Sequence, residues 1–264
     1  MINISAMIHF FNALQHRNAP LFIFGCVNMV AAVVFLLLTR FSNIMVTGVN
    51  AWFKPLKFAL SIGIFSFTMG WYTAYLHSPG PVNLYSWIII IFLGFENVYI
   101  TLQAGRGRMS HYNTSSPVYL FLYNMMGLAA VIVTLWTGYI GILFFNADLP
   151  GLPGYYVLSI RAGIVLFIFF SFQGASMGAR MAHTVGGPDG GPGLPALNWS
   201  TRYGDLRVAH FIGMHALQVL PLLSWYVLRN TIATAIAGLL YFILAIFTMV
   251  RALRGNPFVS AFNK

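Results

Sequence analysis

The chain has 264 residues, 59% of them hydrophobic and 7% charged, with 14 Lys and Arg against 4 Asp and Glu. No soluble domain can cover that much apolar surface with polar groups, so the solvent for most of the chain is lipid. In a soluble protein such a basic excess would suggest nucleic acid, but here the cations sort by loop, and no nucleic-acid partner is needed.

In chain order, Ile4, Met7, Ile8, Phe11 and Leu14 recur at helical spacing with Ser5, His9, Asn12 and Gln15 between them. This predicts an amphipathic helix over 1–19 that lies on the outer membrane interface and ends at Pro20. Apolar runs of spanning length, about 20 residues each, follow at 21–39, 57–76, 84–104, 118–145, 156–179, 207–228 and 231–250. They predict an all-α integral membrane protein, a seven-transmembrane-helix bundle filling one domain over 20–254, with a tail at 255–264.

Alternate connections of such a bundle place Arg40, Lys54, Lys57, Arg106, Arg108, Arg180, Arg202, Arg207, Arg251, Arg254 and Lys264 on one side, which is 11 of the 14 cations. Arg17, Arg161 and Arg229 fall on the other. The positive-inside rule makes the first side cytoplasmic, so the N-terminus is expected outside and the C-terminus inside, with a bacterial inner membrane as the expected address. Cys26 is the only cysteine and lies in the first span, which leaves no disulfide framework and no thiolate cluster.

Polar groups inside such spans are expensive and ask for a reason. In the second span Lys57, Ser61, Ile64, Thr68, Trp71 and Tyr75 share a face, read as helix contact or a cavity lining. The third carries Glu96, the only acid in any predicted span, on one side with Tyr99, Ile100 and Gln103. Its carboxyl either pairs with a cation, Arg161 or a lysine, or handles protons. Arg106 and Arg108 follow in a glycine-rich turn suited to an anion. In the fifth span Gly174 and Gly178 form a GxxxG pattern that predicts close helix packing.

The segment from Arg180 to Pro221 is the chemical focus of the chain: a glycine- and proline-rich loop running into a helix that carries Arg207, His210, His215 and Gln218. Such a long loop with Trp199 and Tyr203 among its glycines predicts an ordered flap, and Asp205 is placed to cap the helix. At 100° per residue Arg207, His210, His215 and Gln218 share one broad arc, but the two histidines stand about 140° apart, too far to serve one metal from a regular helix. A π-bulge near Gly213 or Pro221 would change that.

His111, His183, His210 and His215 all fall at or near the cytoplasmic ends of their spans and are the candidate ligands for haem b or a metal ion, iron, copper or zinc. Lys54, Lys57, Arg106, Arg108, Arg180 and Arg207 are candidates to hold haem propionates or another anion, and Glu96 and Gln218 to take part in the chemical step. The leading expectation is therefore a membrane redox protein acting on a quinone or lipid. A metal-dependent membrane hydrolase or lipid-modifying enzyme is the first alternative. A cofactor-free transporter, sensor or accessory subunit, with partner subunits or an oligomer, is the second.

Overall fold

The computed structural model describes residues 4–259, so Lys264 and the end of the predicted tail lie outside the described residues. The regular structure is helical apart from short strand pairs. Among the described residues six helices are long and apolar enough to cross a membrane, which makes this a multi-pass helical membrane protein. The chain forms two compact units: the first takes the residues up to Val46 and Asn50–Ser110, the second Thr47–Val49 and everything from His111 on.

The first unit contains α1 (Ile4–Arg17), α2 (Ala19–Phe41), α3 (Phe53–Thr73) and α4 (Pro79–Gly105), with a small hairpin, β1 (Met45–Val46) and β2 (Val49–Asn50), between α2 and α3. Asn18 separates α1 from α2, and its side chain accepts a hydrogen bond from the Leu21 amide while Pro20 sits in the first turn of α2. The proline that was expected to end one helix therefore also starts the next. Met7, Ile8, Phe10 and Phe11 of α1 are exposed. Its other end is fixed by Leu14, fully buried, and by the Asn18 amide, which donates to Ser86 Oγ at 2.9 Å and Thr73 Oγ1 at 3.4 Å.

The predicted span at 57–76 is the helix α3, but it is not among the six that meet the length and hydropathy of a span. Lys54 and Lys57 occupy its first turns and Trp71, Tyr72 and Thr73 its last, which dilutes its apolar character. Within the unit its interior face is closely packed, with Ala59, Met69 and Thr73 completely buried.

The second unit contains α5 (Pro117–Asn146), α6 (Gly154–Arg180), β3 (Thr184–Val185), β4 (Gly204–Asp205), α7 (Leu206–Leu223), a π-helical turn at Ser224–Leu228 and α8 (Thr231–Leu253). α6 and α7 pack backbone to backbone at Gly163, where a Cβ would stand 3.0 Å from the Ala216 carbonyl oxygen. Arg161 donates from Nε and Nη2 to the carbonyls of Phe144 and Ala147, so this cation, weighed as a partner for Glu96, caps the C-terminal end of α5. Pro221 has no N–H to give to the helical ladder, and the π-turn follows directly after it. That irregularity lies beyond both histidines of α7 and does not rotate one against the other. Large apolar side chains point outward along these helices, Leu135, Ile142, Ile236 and Leu239 among them, as lipid contact demands.

Candidate functional site

The loop between α6 and α7 is ordered, and two carboxylates organise it. Asp189 accepts hydrogen bonds from the His183 and Thr184 amides, from Thr184 Oγ1 at 2.7 Å and from His183 Nδ1 at 2.7 Å. Partial burial alone would push the Asp189 carboxyl up, but these donors hold it far below the usual carboxylate range. Its stabilising contribution is thus present above the unfolded carboxyl's titration and lost only as the solution becomes strongly acidic.

Asp205 is the second organiser. It is almost completely buried, caps α7 through the Arg207 amide as the sequence predicts, accepts from the Ser200 amide, and receives Nε and Nη2 of Arg207 at 2.9 and 2.6 Å. Arg207 also donates to the Asn198 carbonyl. Its guanidinium is therefore engaged by the loop itself, whereas Arg180 is exposed at the end of α6.

Short strands join the ends of this loop, with Thr184 paired to Asp205 and Val185 to Gly204. Within it a bridge joins Gly193 to Ser200. Several residues that are not glycine take left-handed backbone conformations here: Tyr112 (φ 58°), Met181 (φ 53°), Ala196 (φ 60°) and Asn198 (φ 56°). Such conformations cost energy for bulky side chains and persist only where the surroundings enforce them, which is characteristic of functional sites.

Aromatic rings gather around His183. Tyr112 lies 5.0 Å from it between ring centroids, Tyr123 lies 5.6 Å from Tyr112, and His111 is 6.3 Å from Tyr123. Burial, then the fields of Tyr123 and Asp189, hold the Tyr112 phenol well above its ordinary range, so it is a neutral hydrogen-bonding group.

His210 approaches the same end of the unit from α7, and His183 is close enough to act on it electrostatically. Its Nδ1–H donates to the Phe170 carbonyl of α6 at 2.6 Å. The predicted GxxxG pattern explains how the ring fits, though not as a helix-packing motif: a Cβ on Gly174 would stand 2.8 Å from His210 Cε1, and one on Gly178 would stand 3.4 Å from the Tyr123 hydroxyl. The two glycines make room for polar rings. His215 points elsewhere. Its ring lies tilted against Phe211 at 4.3 Å between centroids, Phe211 meets Trp199 at 5.5 Å, and its Nδ1 lies 3.2 Å from Gln218 Oε1.

The structure thus brings His111, His183 and His210 to one end of the second unit with Tyr112, Tyr123 and Asp189, while His215 and Gln218 form a separate pair on α7. Sequence reasoning passed over Asp189 and the two tyrosines. Asp189 had a usable signal, being one of only 4 acids in the chain and set among glycines.

The remaining predicted residues belong to the first unit. Glu96, Tyr99, Ile100 and Gln103 are all buried along one face of α4, and Lys54 is the cation whose field reaches the Glu96 carboxyl. Lys57 is half-buried two residues after Pro55, whereas Arg106 and Arg108 are exposed after the end of α4. Trp71 and Tyr75, the last members of the semi-polar face of α3, hold Arg17: its guanidinium lies 3.8 and 4.7 Å from their ring centroids. Compared with known protein families, with curated proteins and with solved structures, the chain finds no match, and what the site does is read from its own geometry.

Proposed function

We propose that the protein is a membrane redox protein whose second unit holds haem iron, or a single transition-metal ion, through His183 and His210. The observation that supports this reading is the fixing of both rings at Nδ1. His183 donates from Nδ1 to the Asp189 carboxylate and His210 to the Phe170 carbonyl. In the neutral imidazole this leaves the lone pair on Nε2, and a carboxylate or backbone carbonyl behind Nδ1 is the usual support of a metal-bound histidine. Catalytic zinc takes three protein ligands, and among the described residues no three His, Cys, Asp or Glu side chains gather. Haem iron is satisfied by one or two axial imidazoles, so haem is the better match. Arg180 would face its propionates, and buried Glu96 in the first unit would handle protons.

A second reading has its own support. The Asp189–His183 pair beside the Tyr112 phenol is also the arrangement of a general base held by a carboxylate, suited to activating water on a lipid ester.

One experiment separates the readings: absorption spectra of the purified protein, oxidised and then reduced, with metal content on the same sample. The redox reading expects a Soret band that shifts on reduction, lost in His183→Ala and in His210→Ala but kept in His215→Ala. A colourless, metal-free sample that hydrolyses a lipid ester, and stops doing so in His183→Ala, selects the base. If neither signature is present, both readings fail and a transporter, sensor or accessory subunit takes their place.

We further infer that α2–α8 all cross the membrane, with the N-terminus outside and the C-terminus in the cytoplasm of a bacterial cell. The distribution of arginine and lysine among the loops supports this, and α3 would cross as a helix shielded by its neighbours. In a Cys26→Ser background, His77→Cys and Asp148→Cys should react with an impermeant maleimide on intact cells. Thr114→Cys and Asn256→Cys should react only after permeabilisation, and the reverse pattern would reject the topology.

A further inference from the structure

The first unit carries a cleft that the proposed redox site does not use. It measures about 430 Å³ and is lined by Arg17, Asn18, His77, Pro79, Asn83 and Ser86 among others. Its floor is fixed, since Asn18 bonds Ser86 and Thr73. Its cation is fixed as well: Arg17 lies over the rings of Trp71 and Tyr75, donates from Nη1 to the Trp71 carbonyl at 3.2 Å, and Trp71 Nε1 in turn donates to the Tyr75 hydroxyl at 2.9 Å.

A guanidinium held in this way usually answers a carboxylate, yet no acid lines the cleft. Glu96 is the only acid in the first unit's sequence. It lies 13 residues beyond Asn83 on α4, which is about 20 Å along the helix at 1.5 Å per residue. Among the described residues that line the cleft, the charge of Arg17 therefore has no carboxylate beside it. Beside it, at the start of α4, stand two groups of the kind an oxyanion takes, the Asn83 amide and the His77 ring.

We propose that this cleft binds a phosphate group, and that the group belongs to the headgroup of an anionic phospholipid. Two observations favour the lipid over free phosphate. Trp71, in the last turn of α3, and Tyr75, just beyond its end, are aromatics of the kind that form an interfacial belt. The helix that delivers Arg17 exposes Met7, Ile8, Phe10 and Phe11, an apolar face suited to the acyl boundary beside the headgroups. The cleft thus sits where a phosphodiester and its acyl chains would both be accommodated.

The test uses the full chain in nanodiscs of phosphatidylcholine mixed with phosphatidylglycerol, released for native mass spectrometry. A second arm measures thermal stability in detergent with inorganic phosphate. Wild type should retain phosphatidylglycerol in preference to phosphatidylcholine. Arg17→Gln should weaken that retention at least about tenfold, the loss expected for a hydrogen bond to a charged group. Asn83→Leu, which leaves the stack of Arg17 intact, should weaken it too without lowering the melting temperature.

If no lipid is retained but inorganic phosphate stabilises wild type and not Arg17→Gln, the site stands and its ligand is free phosphate. Equal retention in all three proteins with no effect of phosphate overturns the proposal. Should Arg17→Gln lose stability along with lipid, Asn83→Leu decides, and unchanged retention in that variant overturns it.

Discussion

Asp205→Ala should destabilise the protein by about 3–4 kcal/mol, the cost of stranding a part-buried arginine plus the loss of a helix cap. Asp205 is fully enclosed, whereas the Arg207 side chain keeps a quarter of its surface in solvent, which holds the figure toward the lower end of what a broken buried pair costs. In a protein of this size the loss corresponds to a fall of roughly 10 °C in melting temperature.

The variant also removes the acceptor for the Ser200 amide, so the loop should open together with the start of α7. Limited proteolysis would then cut between 190 and 203, where wild type resists. Adding Arg207→Met should recover part of the stability, because an apolar replacement of both partners leaves no buried charge. If the double variant is no more stable than the single one, the ion pair is not what holds the loop, and the cap and the Ser200 contact carry the effect.

The neighbouring residue gives the other large effect. A Cβ on Gly204 would lie 1.9 Å from the Ala252 carbonyl oxygen and 2.7 Å from its carbonyl carbon. These are backbone atoms of α8 and cannot turn aside as a side chain does. Gly204→Ala must displace the end of α8 or break the β3–β4 pairing, at a cost of about 3 kcal/mol or more. A steep fall in folded yield is expected. Gly191→Ala, in the same loop but with open space around its Cβ position, should change stability by less than about 0.5 kcal/mol. Equal behaviour of the two variants in a melting experiment would show that the packing of β4 on α8 has been misread.

The spans were legible in the sequence because lipid imposes a length and a composition on any segment that crosses it. Their ends were less clear: Asp205 was read as a cap and accepts from the Arg207 amide, but the helix expected from 84 begins already at Pro79, and Asn230 caps α8 without having been singled out. α3 shows the limit of that reasoning. Hydropathy reads each helix as if it met lipid all round, whereas this one has a large packed face and can carry lysines and aromatic polar groups.

The site was legible in its residue types and not in its contacts. His210 was visible as a polar group on an apolar helix, but its partner is a backbone carbonyl 40 positions away, which no residue type announces. Helical arithmetic separated His210 from His215, and the structure gives them different surroundings, one against α6 and one tilted against Phe211. Asn18 and Asn28 make the same point: their partners, Ser86 and Asn97, lie 68 and 69 positions away, and only the packing of helices brings them together.

The loop that carries Asp189 rests on α8. Gly204 lies against Ala252, a Cβ on Gly186 would lie 3.4 Å from Gly255, and Val185 packs in a cluster with Met177, Leu206 and Ala252. While α5, α6 and α7 are already in the membrane and α8 is still being made, β3 and β4 lack the surface they rest on. The loop that holds His183 therefore reaches its final shape only once α8 has docked.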